Sequence, residues 1–400
     1  MNVAFTSRTL SLSRPQLFRG IRKVQSSFAT CSVLSANRAV VYTSNGDPSQ
    51  VLSALTFSNL PPPPPNTVNV RFLLSPINPA DINVIEGVYP AKPNPNASLS
   101  SSGKGSQDEP VFVAGNEGLA EVTNVGDGVT HLQPNDWVIM TRQQAGTWST
   151  GMNVKPQDIL KVPRSLNDVE AATITVNPPT AYNMLHDFVQ LNEGDWVIQN
   201  GANGAVGQVV IQIAAAKGLK TINLIRNRND IASLTEYLSN LGATHVVTYD
   251  ELSDKSFRQR VKEWTGGKNI RLGLNCVSGK PTTLMTRLLG QNAHLVSYGA
   301  MSKEPLSLPT SLFIFKNLTC HGFWQSRWYD SKSSGEREKL VETLVGLMRA
   351  GKLKEPSHEI LTIQGSEGDE EASQKIRHAI ATLAKGQHGK KILLKMEETF

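Results

Sequence analysis

At 400 residues, 39% hydrophobic and 18% charged, the chain is long enough for two packed domains and too apolar to be disordered. Lys and Arg total 40 against 34 Asp and Glu, yet the excess sits at one end: residues 1–46 carry Arg8, Arg14, Arg19, Arg22, Lys23 and Arg38 with no acid before Asp47, which leaves a neutral body and argues against a nucleic-acid partner. No apolar run reaches the roughly 18 to 20 residues of a membrane span, and the scattered Cys31, Cys276 and Cys320 exclude a disulfide framework or a Cys-rich structural zinc site.

The basic, Ser-rich, acid-poor start has the composition of an organellar transit peptide, assigned to residues 1–38, with a disordered phosphate-binding arm as the alternative. Short β-rich segments are expected at 39–43, 68–75, 111–113, 118–124 and 136–140, separated by Pro, Gly and Asn clusters, and they suggest a partly open barrel. Pro61 to Pro65 read as an extended surface connector. The segment 92–110, rich in Pro, Asn, Ser and Gly, reads as a mobile loop, either a tolerated insertion or, because it follows Tyr89, a lid. The second half alternates: strand 196–200, helix 206–217, strand 221–225, helix 230–241 and strand 245–248, with further strands at 271–275 and 293–298. That alternation predicts a parallel sheet with right-handed crossovers. A polar helix 336–350, a strand 359–363, a helix 370–384 and a closing strand 391–394 complete the chain.

Gly201, Gly204 and Gly207, in GANGAVG, fall between the strand 196–200 and the helix that follows. Glycines there let backbone approach a pyrophosphate, and the helix N-terminus offers N–H groups and positive dipole to it. Three glycines also make tight turns elsewhere; their position between strand and helix favours a dinucleotide site. The strand 221–225 runs into Arg226, Asn227 and Arg228, with no acid until Asp230. An acid at this point would bind a ribose 2′-hydroxyl, whereas guanidiniums suit a 2′-phosphate, so the cofactor read here is NADPH. A solvated arginine pair is the plainer alternative.

The β-rich front, the glycine turn after it and the terminal return resemble the medium-chain dehydrogenase/reductase superfamily over nearly all of 39–396. The resemblance implies an α/β architecture: a GroES-like β-rich catalytic domain begun at 39–180, a Rossmann dinucleotide-binding domain with a parallel sheet at 181–325, and a return to the catalytic domain at 326–400. Zinc alcohol dehydrogenases of that superfamily keep a Cys and a Gly-His-Glu at the catalytic metal. Here the latter stretch is Gly115, Asn116 and Glu117, and no Cys or His lies between Ala39 and Glu121, so no catalytic metal is expected.

More narrowly, NPADINVIEGVYP (78–90), GNEGL (115–119), TVNPPTA (175–181), RNRND (226–230), YGAM (298–301) and GFWQ (322–325) together resemble the mitochondrial 2-enoyl thioester reductases. That resemblance implies Tyr89 as proton donor. It implies cofactor contacts at Asn177, Asn203, Gly204, Ala205, Val206, Arg226, Asn227, Arg228, Tyr298, Gly299, Ala300, Met301, Phe323, Trp324 and Gln325. A lysine at the last strand, Lys390 or its neighbour Lys391, is assigned as Lys390. It further implies an acyl carrier protein or CoA thioester as partner, a homodimer and the mitochondrial matrix.

The chemistry needs no metal, since the thioester carbonyl already makes the β carbon electrophilic towards hydride. A phenol, protonated below a pKa of about 10, can deliver the proton, and Trp324 is a candidate wall of the substrate pocket. Plainer readings stay open: Tyr89 before Pro90 as a turn aromatic, Trp324 with Phe323, Trp328 and Tyr329 as interdomain core, Asn177 before Pro178 and Pro179 as a turn former. The alternative functions are a zinc-free NADPH quinone reductase and a non-enzymatic nucleotide- or RNA-binding regulator.

Overall fold

The computed structural model describes residues 36–100, 109–384 and 389–399. The expected leader lies outside the described residues except at its end, and there the structure corrects its boundary. Asn37–Tyr42 forms β1, buried along its whole length. Arg38 is 2% exposed, pairs with Asp369 at 3.3 Å and donates to the carbonyl oxygens of Gln364 and Glu367. A guanidinium so fully engaged belongs to the folded body, since removing it would leave buried acceptors unmatched.

The front half forms two antiparallel arrays. β2 (Ser53–Phe57), the edge strand missed in the sequence, and β4 (Phe112–Val113) flank β1. The larger sheet contains β3 (Val68–Pro76), β5 (Leu119–Val125), β6 (Trp137–Met140), β7 (Gly151–Val154) and β8 (Ile159–Lys161), with β3 pairing both β5 and β7. The prolines 61–65 run along the surface before β3, and Pro61 offers its carbonyl to Asn69 Nδ2 at 2.7 Å. The segment 92–110 is only in part loop: Ala97–Ser100 is a short helix, and Leu99, 5% exposed, packs against Val41, Leu55 and Val111. Residues 101–108, the rest of the supposed mobile loop, lie outside the described residues.

The second half is a six-stranded parallel sheet built from β9 (Trp196–Asn200), β10 (Lys220–Ile225), β11 (His245–Thr248), β12 (Ile270–Asn275), β13 (His294–Ser297) and β14 (Thr319–Gly322). Its order, β11-β10-β9-β12-β13-β14, is that of a doubly wound dinucleotide fold, with the reversal between β9 and β12. β9 is buried at every position, as a central parallel strand covered on both faces must be. Several helices left unread in the sequence pack here, notably Asn177–His186, which opens on two prolines placed where the first turn needs no N–H donors.

β15 (His358–Ile363) and β16 (Lys391–Met396) then bring the chain back. β16 pairs antiparallel with β3 and parallel with β15, so the last strand closes the first large sheet.

Candidate active site

A cavity of about 450 Å³ opens at the C-terminal ends of β9 and β12, the crevice where ligands sit in open α/β sheets. Gly201 turns sharply out of β9 at φ +61°, a left-handed conformation, and a Cβ there would lie 2.5 Å from Cys276 Sγ. Gly204 caps the helix Ala205–Ala216 and has no side chain to occupy its first N–H groups, which face the cavity. Asn203, Gly204, Ala205 and Val206 line this end, and Arg226 lines it from the end of β10 with no acid beside it in the chain before Asp230. A bare helix N-terminus and a guanidinium fit the pyrophosphate and the extra phosphate of NADPH. Asn177, Tyr298, Gly299, Met301, Phe323, Trp324 and Gln325 line the same cavity.

Four of the sequence-derived contacts are not brought there. Asn227 turns to Asp250 at 3.1 Å, and Arg228 is held by Asp230 at 2.5 Å. Ala300 is exposed beside the lining residues Gly299 and Met301. Lys390 points outward, half exposed and 3.9 Å from Glu359, so its assignment is corrected: Lys391 lines the cavity and is 9% exposed. Lys391 is the first residue of β16 and is buried with Ile392, Leu393 and Leu394, whereas Lys390 precedes the strand.

Tyr89 reaches the cavity from the opposite wall. Helix Pro79–Ile85 carries a capping box in which Asp81 accepts from the Asn78 N–H at 2.8 Å, and the chain leaves the helix through Gly87 at φ +80°. The N–H groups of Val88 and Tyr89 both bond the Asn83 carbonyl, which fixes the tyrosine's approach. Trp324 Nε1–H donates to Tyr89 Oη at 2.7 Å, and the rings meet edge to face at 5.8 Å. Burial holds the phenol above its usual range, against the opposing effect of its hydrogen bonds to Trp324 and Ser326. Tyr89 is therefore a protonated phenol whose oxygen accepts from Trp324, leaving its own hydrogen to be donated.

Beneath them lies a buried charged cluster that sequence reasoning passed over. Lys391 Nζ donates to Asn78 Oδ1 at 2.5 Å, Asn78 Nδ2 donates to Glu117 Oε1 at 2.7 Å, and Thr175 Oγ1 donates to Glu117 Oε2 at 3.1 Å. Burial pushes the Asp81 carboxyl up to about 7, helped by the Glu117 charge and opposed by Lys391 and the Asn78 N–H. It also raises Glu117 and lowers Lys391, while their opposite charges pull each back towards its ionised form. Gly115 permits this arrangement: at φ +97° a Cβ would lie 2.4 Å from the Trp148 ring.

Glu117 ends the stretch that in zinc enzymes reads Gly-His-Glu. Here its oxygens are taken by an amide and a hydroxyl and its charge is offset by an ammonium. Among the described residues no three His, Cys, Asp or Glu side chains converge to hold a metal ion. This donor set does not fit zinc.

Two residues beside the glycine turn gave no local signal in the sequence. Tyr249 Oη accepts the Gly201 N–H at 2.8 Å, and the Cys276 N–H donates to Asn200 Oδ1 at 2.8 Å, so both brace the turn. They come from the ends of β11 and β12 and meet only through the sheet order.

The family described as alcohol dehydrogenase GroES-like domain matches residues 64–164, and that described as zinc-binding dehydrogenase matches 205–343. The chain is 43% identical over 360 residues to the mitochondrial enoyl-[acyl-carrier-protein] reductase of Schizosaccharomyces pombe, covering 89% of this chain and 93% of that one. It is 41% identical over 350 residues to the human protein of the same name, covering 88% and 89%. Among solved structures, the mitochondrial 2-enoyl thioester reductase Etr1p/Etr2p heterodimer from Candida tropicalis superposes with a TM-score of 0.82 at 35% identity, over 90% of this chain and 99% of that one. The Etr1p/NADP/crotonyl-CoA complex gives 0.83 at 35%, with the same coverage. An Escherichia coli quinone oxidoreductase complexed with NADPH, at 20% identity and a TM-score of 0.70, shares the fold. With the extent of those matches added to the site geometry, the chain belongs to the family of mitochondrial enoyl-[acyl-carrier-protein] reductases.

Proposed function

We propose that this protein reduces the 2,3 double bond of trans-2-enoyl thioesters, carried on acyl carrier protein or CoA, with NADPH in the mitochondrial matrix. The observation that carries the reading is the Tyr89–Trp324 hydrogen bond across a cavity whose other end is the glycine turn and Arg226. A proton donor and a dinucleotide site thus share one space. The relatives named above are mitochondrial reductases of this class, and the Etr1p complex holds NADP with an enoyl thioester.

NADPH, when bound, supplies the hydride. The chain's own residues do the rest. The helix N-terminus at Gly204 and Arg226 hold phosphate, and Arg228 joins them once it lets go of Asp230. Asn177 and Gln325 offer amides at the centre of the cavity, Gln325 being fixed by Asn183 Nδ2 at 3.1 Å. Tyr89 donates its phenolic proton, to the α carbon or first to the charged thioester oxygen, and Trp324 fixes the direction of that proton. Lys391, anchored by Asn78, keeps a positive charge at the floor.

The homodimer also belongs to this proposal. β14 is an edge strand with largely exposed residues, and beside it the helix Thr310–Lys316 leaves Ile314 and Phe315 67% and 73% exposed. An open strand edge with apolar neighbours is a surface a second copy can extend.

The test is NADPH oxidation with trans-2-enoyl thioesters of increasing chain length against small quinones. Turnover of thioesters with little on quinones is the expected result; the reverse selects the quinone reductase reading.

A further inference from the structure

A second site lies on the opposite end of the helices that serve the active site. His186 ends the helix Asn177–His186, and Lys217 caps the helix Ala205–Ala216. Lys217 Nζ stands 2.7 Å from His186 Nε2. The other ring nitrogen, Nδ1, lies 2.6 Å from the Tyr182 carbonyl oxygen, which can only accept, so Nδ1 carries the hydrogen and Nε2 presents a lone pair to the lysine. The Tyr182 ring stacks on the imidazole at 3.9 Å and keeps it in this orientation.

The lysine is thus matched to a neutral base. The nearby carboxylate, Asp187, accepts from Trp328 Nε1 at 3.0 Å and has Lys332 close by. Burial lowers the pKa of Lys217, and burial together with the Lys217 charge lowers that of His186. Both side chains line a cavity of about 300 Å³ whose apolar wall is Leu185, Phe188, Val189 and Leu191. An amine with a built-in proton acceptor, set in a pocket that Asp187 and Gln190 also line, has the parts of an activated nucleophile.

We infer that Lys217 is a site of N-acylation by acyl thioesters. The ammonium passes a proton to His186 Nε2 and the neutral amine attacks the thioester carbonyl carbon. A C–N bond forms, the C–S bond breaks, and the departing thiolate takes the second amine proton; His186 returns the first to solvent. The products are an amide and a thiol, with no change of oxidation state. The donor is the class of molecule the proposed reductase releases, so the modification would report product accumulation. Asn177 and Ala205, at the starts of these two helices, line the active-site cavity, and the Lys217–His186 bond ties their far ends. Acylation removes that charge and leaves at most one N–H to replace the bond.

The full-length protein is incubated with butyryl-CoA and no NADPH, which makes the outcome independent of the reductase reading, and each lysine is followed by peptide mass spectrometry. With His186 as general base, Lys217 is expected to acylate at least about tenfold faster than exposed Lys262 and Lys339, and with a pH dependence of its own. His186→Gln, with NADPH binding as the check on folding, is expected to bring Lys217 down to the rate of those two. A Lys217 rate no greater than theirs overturns the inference, as does a rate unchanged in folded His186→Gln. If that variant does not fold, the unaltered protein decides: the same pH dependence at all three lysines overturns it.

Discussion

Replacing Tyr89 by Phe removes one oxygen and keeps the ring. The structural cost is small, because the lost interactions are the hydrogen bond from Trp324 Nε1 at 2.7 Å and the one with Ser326, at a half-buried side chain. Such a bond contributes about 0.5 to 1.5 kcal/mol, which lowers Tm by only a few degrees, roughly 2 to 4 °C for each kcal/mol in a large domain. Loss of a general acid lowers turnover by about 10² to 10⁴, or about 2.7 to 5.4 kcal/mol in the barrier. The chemical effect exceeds the structural one, so the two separate cleanly. The assay is steady-state crotonyl-CoA reduction with NADPH varied, beside circular dichroism melting. We expect kcat to fall at least about a hundredfold while KM for NADPH moves less than about threefold. Trp324→Phe, which keeps the phenol and loses only its orienting partner, should cost less than Tyr89→Phe. Near-normal kcat in folded Tyr89→Phe, with the loss confined to Tm, would refute the role and leave Tyr89 a turn aromatic.

Arg226→Ala should weaken NADPH binding by about 1.5 to 3 kcal/mol, at least tenfold, with little effect on NADH, since the lost contact is to the extra phosphate. Arg228→Ala should cost less, because Arg228 must first leave Asp230; equal losses for both cofactors, by isothermal titration, would show that neither arginine reads the phosphate. Asp81 titrates near 7 when folded and near 3.9 unfolded, so between about pH 4 and 7 the folded state binds more protons and stability falls as pH rises. Asp81→Asn keeps an acceptor for the Asn78 N–H and should flatten that slope, leaving the variant relatively more stable at pH 8; an unaltered Tm profile would place the slope elsewhere. Lys391→Met should impair activity far more than Lys390→Met, measured as kcat/KM, and equal effects would undo the corrected assignment. Phe315→Lys should yield monomers in sedimentation, and an unchanged association state would move the proposed interface away from β14.

Much of the site could be read from the chain because its parts are local. The glycine turn sits between a strand and a helix whose apolar runs are unmistakable, and Arg226 follows directly on β10. What escaped reading depends on register or on distant pairing. Lys390 and Lys391 are indistinguishable until the start of β16 is known, since only Lys391 lies in the strand. The helix that Asn177 opens is hidden because Asn-Pro-Pro is also turn chemistry, yet prolines start helices as well. Asn78, Glu117 and Lys391 are separated by 39 and 274 positions, and only the return of the last strand to β3 assembles them. By charge Arg38 belongs with the basic leader, since composition cannot tell a solvated arginine from one that caps buried carbonyls. Tyr249 carries no pattern at all; the parallel sheet brings it under Gly201.

The placement of β16 also governs how the protein comes into being. The front sheet begins with residues near 68 and takes its neighbour from residues 391–396, while Ala36 bridges to Thr399 at the chain's other extremity. Contacts of such sequence separation form late and slowly. A chain that enters a compartment N-terminus first therefore presents its front half without its closing strand, and this half cannot complete its sheet until the final residues have passed. The return of residues 391–396 to β3 is thus the step that completes the front sheet.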